Sequence, residues 1–370
     1  MKKLRDEYVI KAISEQMGRY QEYLNEQELQ FVTALSIGDK NQKQITIMKD
    51  YTDLDVLKYL GSGATVEMCS IDLSRQTVFF ENDVAAIKLI NCKLQDTQII
   101  VENYSENYSG YNLDIESCKF EKLTLSSTAK MAKSIHITGR TQYVVSKEKD
   151  YQMLESEMLK VNPDYLELKE EEKFQILRDN GYINAVAPEI KLYNIDDMEY
   201  LNSLIIENAC IADLELTNTD KYSVNQKTLE TLSFLNSEFK NCHSTFVLKT
   251  QNLNIENCKV YIEDVLSNFY GINNLKVINT NSIKFRYLNV LEKINNLHIE
   301  KCEILLEDED LKQISKTENI TLLNVNNLKL DFKKLLKFKS LKTLTLSENI
   351  DIADKVMKKL QKRLNVIIQK

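Results

Sequence analysis

Pairs of aliphatic residues separated by a single position recur along most of the chain. Ile87 and Leu89 form one such pair, and in the second half of the chain the second residue returns at steps of 21, 22, 22, 23 and 24 between Phe234 and Leu346. Apolar residues at every second position are typical of a β-strand with one buried face. A strand that returns at a nearly constant interval predicts a solenoid of stacked coils.

The predicted strands share this central pair of apolar residues. The pairs are Ile87/Leu89, Leu113/Ile115, Ile135/Ile137, Ile190/Leu192, Leu204/Ile206, Leu232/Phe234, Leu253/Ile255, Leu275/Val277, Leu297/Ile299, Ile320/Leu322 and Leu344/Leu346. The step from Leu192 to Ile206 is only 14 residues, which is shorter than one coil. The pattern therefore leaves the register of the repeat open around residues 187–206.

The segments between several of these pairs have a different period, with apolar residues three or four positions apart. Such spacing predicts a helix with one apolar side. The sequence therefore predicts coils with a strand on one side and a helix on the other. A right-handed β-helix has a similar period but carries strands all the way round, so the helical spacers favour the first arrangement. The apolar spacer positions are Ile262, Val265, Leu266 and Phe269; Phe332, Leu335 and Leu336; and Ile352, Val356 and Leu360.

The run from Val84 to Leu94 resembles the leucine-rich repeat signature L-x-x-L-x-L-x-x-N/C-x-L, with any aliphatic residue in place of Leu. The resemblance is strong in 225–370 and fair in 80–140. It implies an α/β leucine-rich repeat solenoid, with a parallel concave sheet and a helical or irregular convex side. The N/C position of the signature is filled by Cys92, Cys118, Cys258, Cys302 and Asn349.

The resemblance has limits. Many members of that family carry Pro at a set position, whereas Pro163 and Pro188 are the only prolines of this chain. Ile, Lys and Asn are unusually common, which gives the repeats a divergent, bacterial character and leaves the subfamily unassigned.

Four regions are predicted along the chain. Residues 1–60 lack the repeat and form a helical N-terminal cap, or alternatively a separate helical interaction module, since an open solenoid end exposes its core. Residues 61–145 form a first repeat block. Residues 146–186 form a helical insertion or junction, in which Pro163 marks a helix start. Residues 187–370 form a second repeat block whose C-terminal cap ends in a strand over Leu364–Ile368.

The composition of the chain indicates the kind of compartment in which the protein is expected to work. The chain has 370 residues, 43% of them hydrophobic, and seven cysteines, four of which occupy the repeat's interior position. An odd number of cysteines at buried positions favours free thiols and a reducing, cytoplasmic compartment. We find neither an apolar signal segment nor an apolar run long enough to cross a membrane.

Residues suited to catalysis or to cofactor binding are scarce. His136 and His298 each lie between two inward aliphatic residues and are expected to point outward, whereas His243 follows Cys242 directly, and neighbours on a strand face opposite sides. Gly61-Ser-Gly63 lacks the lysine of a phosphate-binding loop. We therefore expect no catalytic residues, no metal and no cofactor, and predict that the protein is not an enzyme.

The concave face is the predicted binding surface. The position after the second aliphatic alternates between acidic and aliphatic residues, which suits a mixed polar and apolar protein interface. The next position is mostly Asn, for which we favour a turn-forming role at the end of the strand. The predicted partner-binding residues are Glu207, Leu235, Glu256, Ile278, Glu300 and Leu323, together with His298.

These patterns predict a non-catalytic scaffold or adaptor that binds a protein partner through its concave face. A stoichiometric inhibitor or immunity protein, or an effector delivered into host cells, would show the same features. Nucleic-acid binding is a weaker alternative that depends on residues 331–370, where ten Lys and one Arg stand against four acidic residues in a chain of net charge −7. We expect these lysines to coat outer helices instead, and the sequence does not predict an oligomeric state.

Overall fold

The computed structural model describes most of the chain. The described residues are 3–23, 25–38, 52–102, 104–139, 158–160, 162–168, 189–193, 197–217, 228–243, 248–259, 269–270, 272–280, 283–284, 294–305, 314–326, 328 and 330–369. Within these ranges, no helix has the length and apolar character needed to cross a membrane.

The N-terminal region folds into the predicted helical cap. Helix α1 (Glu7–Met17) begins at Asp6, whose carboxylate accepts hydrogen bonds from the backbone N–H groups of Tyr8 and Val9, and it ends at Gly18 in the left-handed conformation. Both features are common helix signals. Helix α2 (Glu26–Leu29) and a 3-10 helix (Thr52–Tyr59) follow. The cap packs its apolar side, which includes Ile13, against the end of the sheet.

The described residues form twenty-two strands. In chain order they are β1 (Ala34–Gly38), β2 (Ala64–Cys69), β3 (Thr77–Phe80), β4 (Val84–Ile90), β5 (Gln98–Val101), β6 (Tyr111–Glu116), β7 (Lys122–Thr124), β8 (Ala132–Thr138), β9 (Glu189–Tyr193), β10 (Ser203–Glu207), β11 (Cys210–Thr217), β12 (Thr228–Leu235), β13 (Glu238–His243), β14 (Leu248–Glu256), β15 (Phe269–Tyr270), β16 (Asn274–Ile278), β17 (Ile283–Lys284), β18 (Asn296–Glu300), β19 (Ile304–Leu305), β20 (Asn319–Leu323), β21 (Thr343–Ser347) and β22 (Asn365–Gln369).

One long parallel sheet runs through the molecule and confirms the predicted solenoid. Its order is β1-β2-β4-β6-β8-β10-β12-β14-β16-β18-β20-β21-β22, with β15 paired to β14. The two aliphatic residues of each repeat point inward, as shown by Ile87 and Leu89, which are fully buried. Adjacent coils stack these residues into a continuous core that extends from the cap to Leu346 and beyond. The predicted last strand is β22, which pairs with β21.

The opposite side of the coils is mixed. Strands β3 and β5 pair with each other, β7, β9, β11 and β13 form a second parallel sheet, and β17 pairs with β19. The short strands form where apolar residues alternate, as in β5, in which Ile99 and Val101 are buried and their neighbours exposed.

Helices occupy this side in the last coils. Helix α3 (Leu125–Thr128) is a single turn in an earlier coil, and α4 (Phe332–Leu335) and α5 (Asp354–Gln361) follow β20 and β21. Two of the predicted helical spacers are thereby confirmed. The third, which begins after Val260, lies mostly outside the described residues.

Assigning Ile190 and Leu192 to the main series of strands was wrong. Strand β9, which contains both residues, pairs with β7 and β11 in the second sheet, whereas β8 pairs directly with β10 in the long sheet. The short step of 14 residues therefore runs from the second sheet in one coil to the long sheet in the next coil. Alternation at period two is the same for a strand on either side, so the pattern alone could not distinguish them.

The long sheet extends into the predicted N-terminal cap and continues past the predicted insertion. Strand β1 already belongs to this sheet although it lies within residues 1–60. Residues 140–188 connect β8 to β9 within one coil, and the sheet passes without interruption from β8 to β10. Of the predicted 146–186 insertion, the structure describes only 158–160 and 162–168.

Candidate functional site

The solvent-facing side of the long sheet corresponds to the predicted concave face, and we call it the open face. It consists of the side chains directly before, between and directly after the two inward aliphatic residues of each strand. Leu297 and His298 show the alternation, since Leu297 is only 2% exposed while His298 is partly exposed on the other side. Parallel pairing aligns equivalent positions of neighbouring strands into columns that run across the sheet.

The structure brings six of the predicted binding residues into one column. They occupy matching positions on six consecutive strands, from β10 to β20. Neighbouring members are therefore about 4.8 Å apart, the spacing of paired strands. His298 lies in the adjacent column, with its Nε2 atom 3.3 Å from Glu300 Oε2. The members of the column are Glu207, Leu235, Glu256, Ile278, Glu300 and Leu323.

Each glutamate of the column already has a partner on the open face. Glu207 Oε2 lies 3.4 Å from His136 Nε2, and Glu256 Oε1 accepts a hydrogen bond of 2.7 Å from Lys276 Nζ. Glu300 contacts His298 as well as Lys301, whose Nζ is 3.3 Å from Glu300 Oε1. These carboxylates are consequently held in place within the chain, and two of them have a lysine close enough to offset their charge.

The pKa of Glu300 reflects two opposing effects. Burial is the largest and favours the neutral acid, but the hydrogen bonds and charge interactions with His298 and Lys301 together outweigh it and lower the pKa below its usual value. The carboxylate form is therefore stabilised in the folded protein.

The strands nearest the N-terminus carry a further group of charges on the open face. Lys88 Nζ lies 2.9 Å from Glu116 Oε2, and this hydrogen bond is the main cause of the raised pKa of Lys88. His136 Nδ1 lies 3.8 Å from Asp114 Oδ1 on the next strand. With Glu67 and Glu207, the carboxylates at this end outnumber Lys88, so this part of the open face is acidic.

The described strands of the open face lack the large residue types that most often dominate binding at protein interfaces. The three outward positions of the described main-series strands contain no Phe, Tyr, Trp or Arg. Tyr, Trp and Arg are the residues that most often dominate binding energy at protein interfaces. The larger apolar side chains available are aliphatic, such as Leu235, Ile278 and Leu323, all partly exposed.

The Asn-rich position at the ends of the strands has the predicted turn-forming role. Asn236, Asn257 and Asn279 all have a positive φ, between 48° and 53°. Asn adopts this left-handed conformation more readily than most residues. Their side chains also form a ladder, in which the amides of Asn257 and Asn279 each donate a 2.9 Å hydrogen bond to the preceding Asn. This column therefore contributes structure at the rim of the open face.

A second asparagine ladder, which was not predicted from the sequence, lies at the other end of the strands. Asn274 donates to Asn252 Oδ1 at 2.6 Å, Asn296 donates to Asn274 at 2.5 Å, and Asn319 donates to Asn296 at 2.6 Å. Asn252 in turn donates to the Glu230 carbonyl. The signal was present in the sequence, because Asn directly precedes the first inward aliphatic residue in four consecutive coils.

The repeat-position cysteines are buried and free, as predicted. Cys92, Cys118, Cys258 and Cys302 are at most 3% exposed. The Cys258 thiol donates to the Phe234 carbonyl of the preceding coil at 3.2 Å, and burial raises its pKa. Ser237 occupies the equivalent position in another coil and donates to the Leu235 carbonyl. The position therefore takes a small side chain that bonds the backbone, and its role is structural.

Two histidines point outward, but they do not form a joint site. His136 lies on β8 and His298 on β18, five strand steps apart in the sheet, which corresponds to about 24 Å. Among the described side chains, no group of three or more His, Cys, Asp and Glu could hold a metal ion. The side chain of His243 lies outside the described residues.

No protein family and no curated protein matches the sequence. Among solved structures, an internalin (inlF) from Listeria monocytogenes aligns over 99% of this chain and 96% of its own, at 13% identity and a TM-score of 0.35. Because a score this low establishes no relationship, the strand order of the chain itself defines its class, a parallel solenoid with leucine-rich-repeat-like coils.

Proposed function

We propose that this protein is a non-catalytic scaffold or adaptor that binds a protein partner through the open face. The observation that carries the proposal is the column of alternating glutamate and aliphatic residues from Glu207 to Leu323. Its aliphatic members are exposed in part although they contribute nothing to the core. Partly exposed aliphatic side chains separated by polar ones are typical of protein interfaces.

The dimensions of the sheet fit an interface that uses most of its length. The column alone spans six strands, or about 24 Å, and would bury only about 300 Å² with its two neighbouring columns. The whole open face, thirteen strands long and about 13 Å wide, offers about 750 Å². A standard interface buries about 800 Å² on each partner. We therefore propose that the partner lies along most of the sheet.

The ion pairs of the column define what the partner has to supply. Since Lys276 and Lys301 already accompany Glu256 and Glu300, a partner gains little by placing cations opposite these two carboxylates. The pairs also fix the side chains before binding, which lowers the entropic cost of association. The apolar contacts of Leu235, Ile278 and Leu323 would therefore supply most of the affinity in this column.

Several more specific roles are compatible with this binding mode. A stoichiometric inhibitor, an immunity protein or a delivered effector would use the same surface, and a cytoplasmic location is proposed because the interior cysteines are free thiols. Nucleic-acid binding is the weaker candidate. The lysines of residues 331–370 project mainly from α4, α5 and the neighbouring loops, so they do not form a stripe along the open face.

The proposal can be tested by binding titration of a partner captured from the native host. We expect Leu235→Ser combined with Ile278→Ser to weaken binding through faster dissociation, as loss of central apolar contacts does. A matched control is Ile100→Ser, which removes an aliphatic side chain that is 39% exposed on the opposite side of the coils. Equal affinity of the parent and the double variant would refute the role of the column.

A further inference from the structure

Three tyrosines form a cluster beside the acidic end of the open face. The ring centroid of Tyr108 lies 5.7 Å from that of Tyr104 and 5.8 Å from that of Tyr200. Tyr104 is 48% exposed and Tyr200 is partly exposed, whereas Tyr108 is more deeply placed and donates its hydroxyl to the Val84 carbonyl at 3.2 Å. We call these three residues the tyrosine cluster. It presents phenol rings next to a sheet face whose described strands carry no Phe, Tyr or Trp at their outward positions.

The fold places the tyrosine cluster at the edge where strands enter the long sheet. Tyr104 and Tyr108 precede β6, and Tyr200 precedes β10. Gly110 lies between them, and a Cβ atom there would be 2.7 Å from the Cβ of Tyr200. Since strands rise about 3.3 Å per residue, the open-face carboxylate of Asp114 begins about 13 Å from Gly110. One extended segment of a partner could therefore reach both the rings and the carboxylates.

The loop that carries Tyr104 and Tyr108 is fixed before any partner binds. Asp83 accepts hydrogen bonds from the backbone N–H of Ser105 at 2.9 Å and from its hydroxyl at 2.7 Å. Gly110 has a φ of 84°, a conformation that a residue with a Cβ rarely adopts, and this allows the close approach to Tyr200. Rings held in this way lose little conformational freedom on binding.

The surroundings of the tyrosine cluster are acidic. The neighbouring positions in sequence contribute Glu102, Glu106, Asp197 and Glu199, all exposed, in addition to Asp83. Among the described residues, Lys130 and Lys133 are exposed basic residues nearby, since the Met131 carbonyl and the Lys133 backbone nitrogen lie next to Gly110. Asp114 and Glu116 continue the negative charge along the open face, where Lys88 pairs with Glu116. An aromatic face next to carboxylates is a favourable environment for a lysine ammonium or an arginine guanidinium.

We propose that the tyrosine cluster and the adjoining acidic strands bind an arginine- or lysine-rich segment of a protein partner. This inference rests on the proposed protein-binding function and names the chemistry of the partner. The cations would lie over the exposed faces of Tyr104 and Tyr200 and pair with the surrounding carboxylates. The tyrosine cluster thereby supplies the aromatic anchors that the open face lacks.

A fluorescently labelled peptide of alternating Arg and Gly tests the proposal without the natural partner. We expect measurable binding by fluorescence anisotropy at low salt, and no binding of the matching peptide of alternating Glu and Gly. Tyr104→Ala combined with Tyr200→Ala should weaken binding of the Arg peptide by about tenfold or more. Failure of the parent protein to bind the Arg peptide would overturn the proposal.

Two controls separate the tyrosine cluster from general attraction to an acidic chain. Tyr20→Ala combined with Tyr23→Ala removes rings that are 73% and 47% exposed on the N-terminal cap and should leave affinity unchanged. Tyr104→Phe combined with Tyr200→Phe keeps the rings and should bind within about twofold of the parent. An equal loss in both alanine pairs, or none in either, would show that the peptide is held by net charge alone and would refute the site.

The column variants distinguish the two proposals from each other. Leu235→Ser with Ile278→Ser should leave binding of the Arg peptide unchanged, because these residues lie further along the sheet. If those variants lose the natural partner while the tyrosine variants keep both partner and peptide, the proposed function stands and the tyrosine cluster has no part in it.

Discussion

The side-chain amide of Asn274 donates to Oδ1 of Asn252 at 2.6 Å, across the boundary between two coils. The same donation continues from Asn296 and Asn319, so all the amides point the same way along the solenoid. Hydrogen bonds in such a chain polarise one another. The ladder therefore links coil to coil at the surface, in parallel with the buried aliphatic core.

Breaking this ladder should destabilise the protein measurably. Asn274→Ala removes one donor and one acceptor and should lower the free energy of unfolding by about 1 kcal/mol. Asn274→Asp should cost more, because a carboxylate would face the Oδ1 acceptor of Asn252. Urea denaturation measures both, with Asn295→Ala, at an exposed position in the next coil, as the control. Equal stability of all three variants would show that the ladder contributes nothing.

Lys301 occupies a left-handed backbone position, with a φ of 51°, where the equivalent residue in most other coils is Asn. Since Asn tolerates this conformation better than Lys, Lys301→Asn should raise stability by up to about 1 kcal/mol, less the small loss of the contact with Glu300. Lys301→Val should lower stability by about 1–2 kcal/mol, because a branched side chain fits this conformation poorly. Thermal unfolding of both variants measures the two opposite changes in stability. A change of the unfolding temperature in the same direction for both variants would contradict the explanation.

Replacing Leu297 tests how closely the interior of the solenoid is packed. Leu297 lines a small interior space with Ile304, Ile314 and Ile320 and is almost fully buried. Leu297→Ala should reduce the free energy of unfolding by about 2–5 kcal/mol, since it leaves a cavity between stacked coils. Lys316→Ala, at an exposed position nearby, should change it by no more than about 0.5 kcal/mol. Similar losses for the two variants would show that the assignment of inward and outward residues is incorrect.

The interior thiols should react slowly in the folded protein. Burial raises the pKa of Cys118 and of Cys258, which reduces the fraction of reactive thiolate, and neither side chain is accessible to a reagent. Cys92 and Cys302 are buried to the same degree, whereas Cys210 is partly exposed and should react before these four. Timed labelling with a thiol reagent, followed by peptide mass spectrometry, gives the order. Rapid native labelling of the four buried cysteines would contradict the fold.

Glu300 should contribute to stability in a pH-dependent manner. Its folded-state pKa is lowered, so its contribution is fully present above the pKa of the unfolded chain and is lost as the pH falls through the folded-state value. Glu300→Gln should therefore be less stable than the parent at pH 7, and the two should converge as the pH falls through the folded-state pKa of Glu300. Denaturation curves across this range measure the difference, and a gap that stays constant with pH would exclude an ionic origin.

Local patterns in the sequence determined the architecture of the protein. Apolar residues at period two identified the strands and their inward side chains, and their return at 21 to 24 residues predicted that the strands stack in parallel. The same register aligned Glu207 to Leu323 in one column and placed the four repeat-position cysteines in the interior. These features follow from backbone geometry, which repeats identically in each coil and requires no knowledge of distant contacts.

Only the tertiary structure decided which residues far apart in the sequence meet. It assigned Ile190 to the second sheet, since an alternating strand fits either side of a coil, and it paired Glu256 with Lys276 across two strands. It also joined Tyr108 to Tyr200, because the strands that follow them, β6 and β10, lie on either side of β8 in the sheet although residues 139–202 separate β8 from β10 in the chain. Side-chain contacts of this kind depend on how the coils stack and on where a long connection leaves and rejoins them, and no local period contains that information.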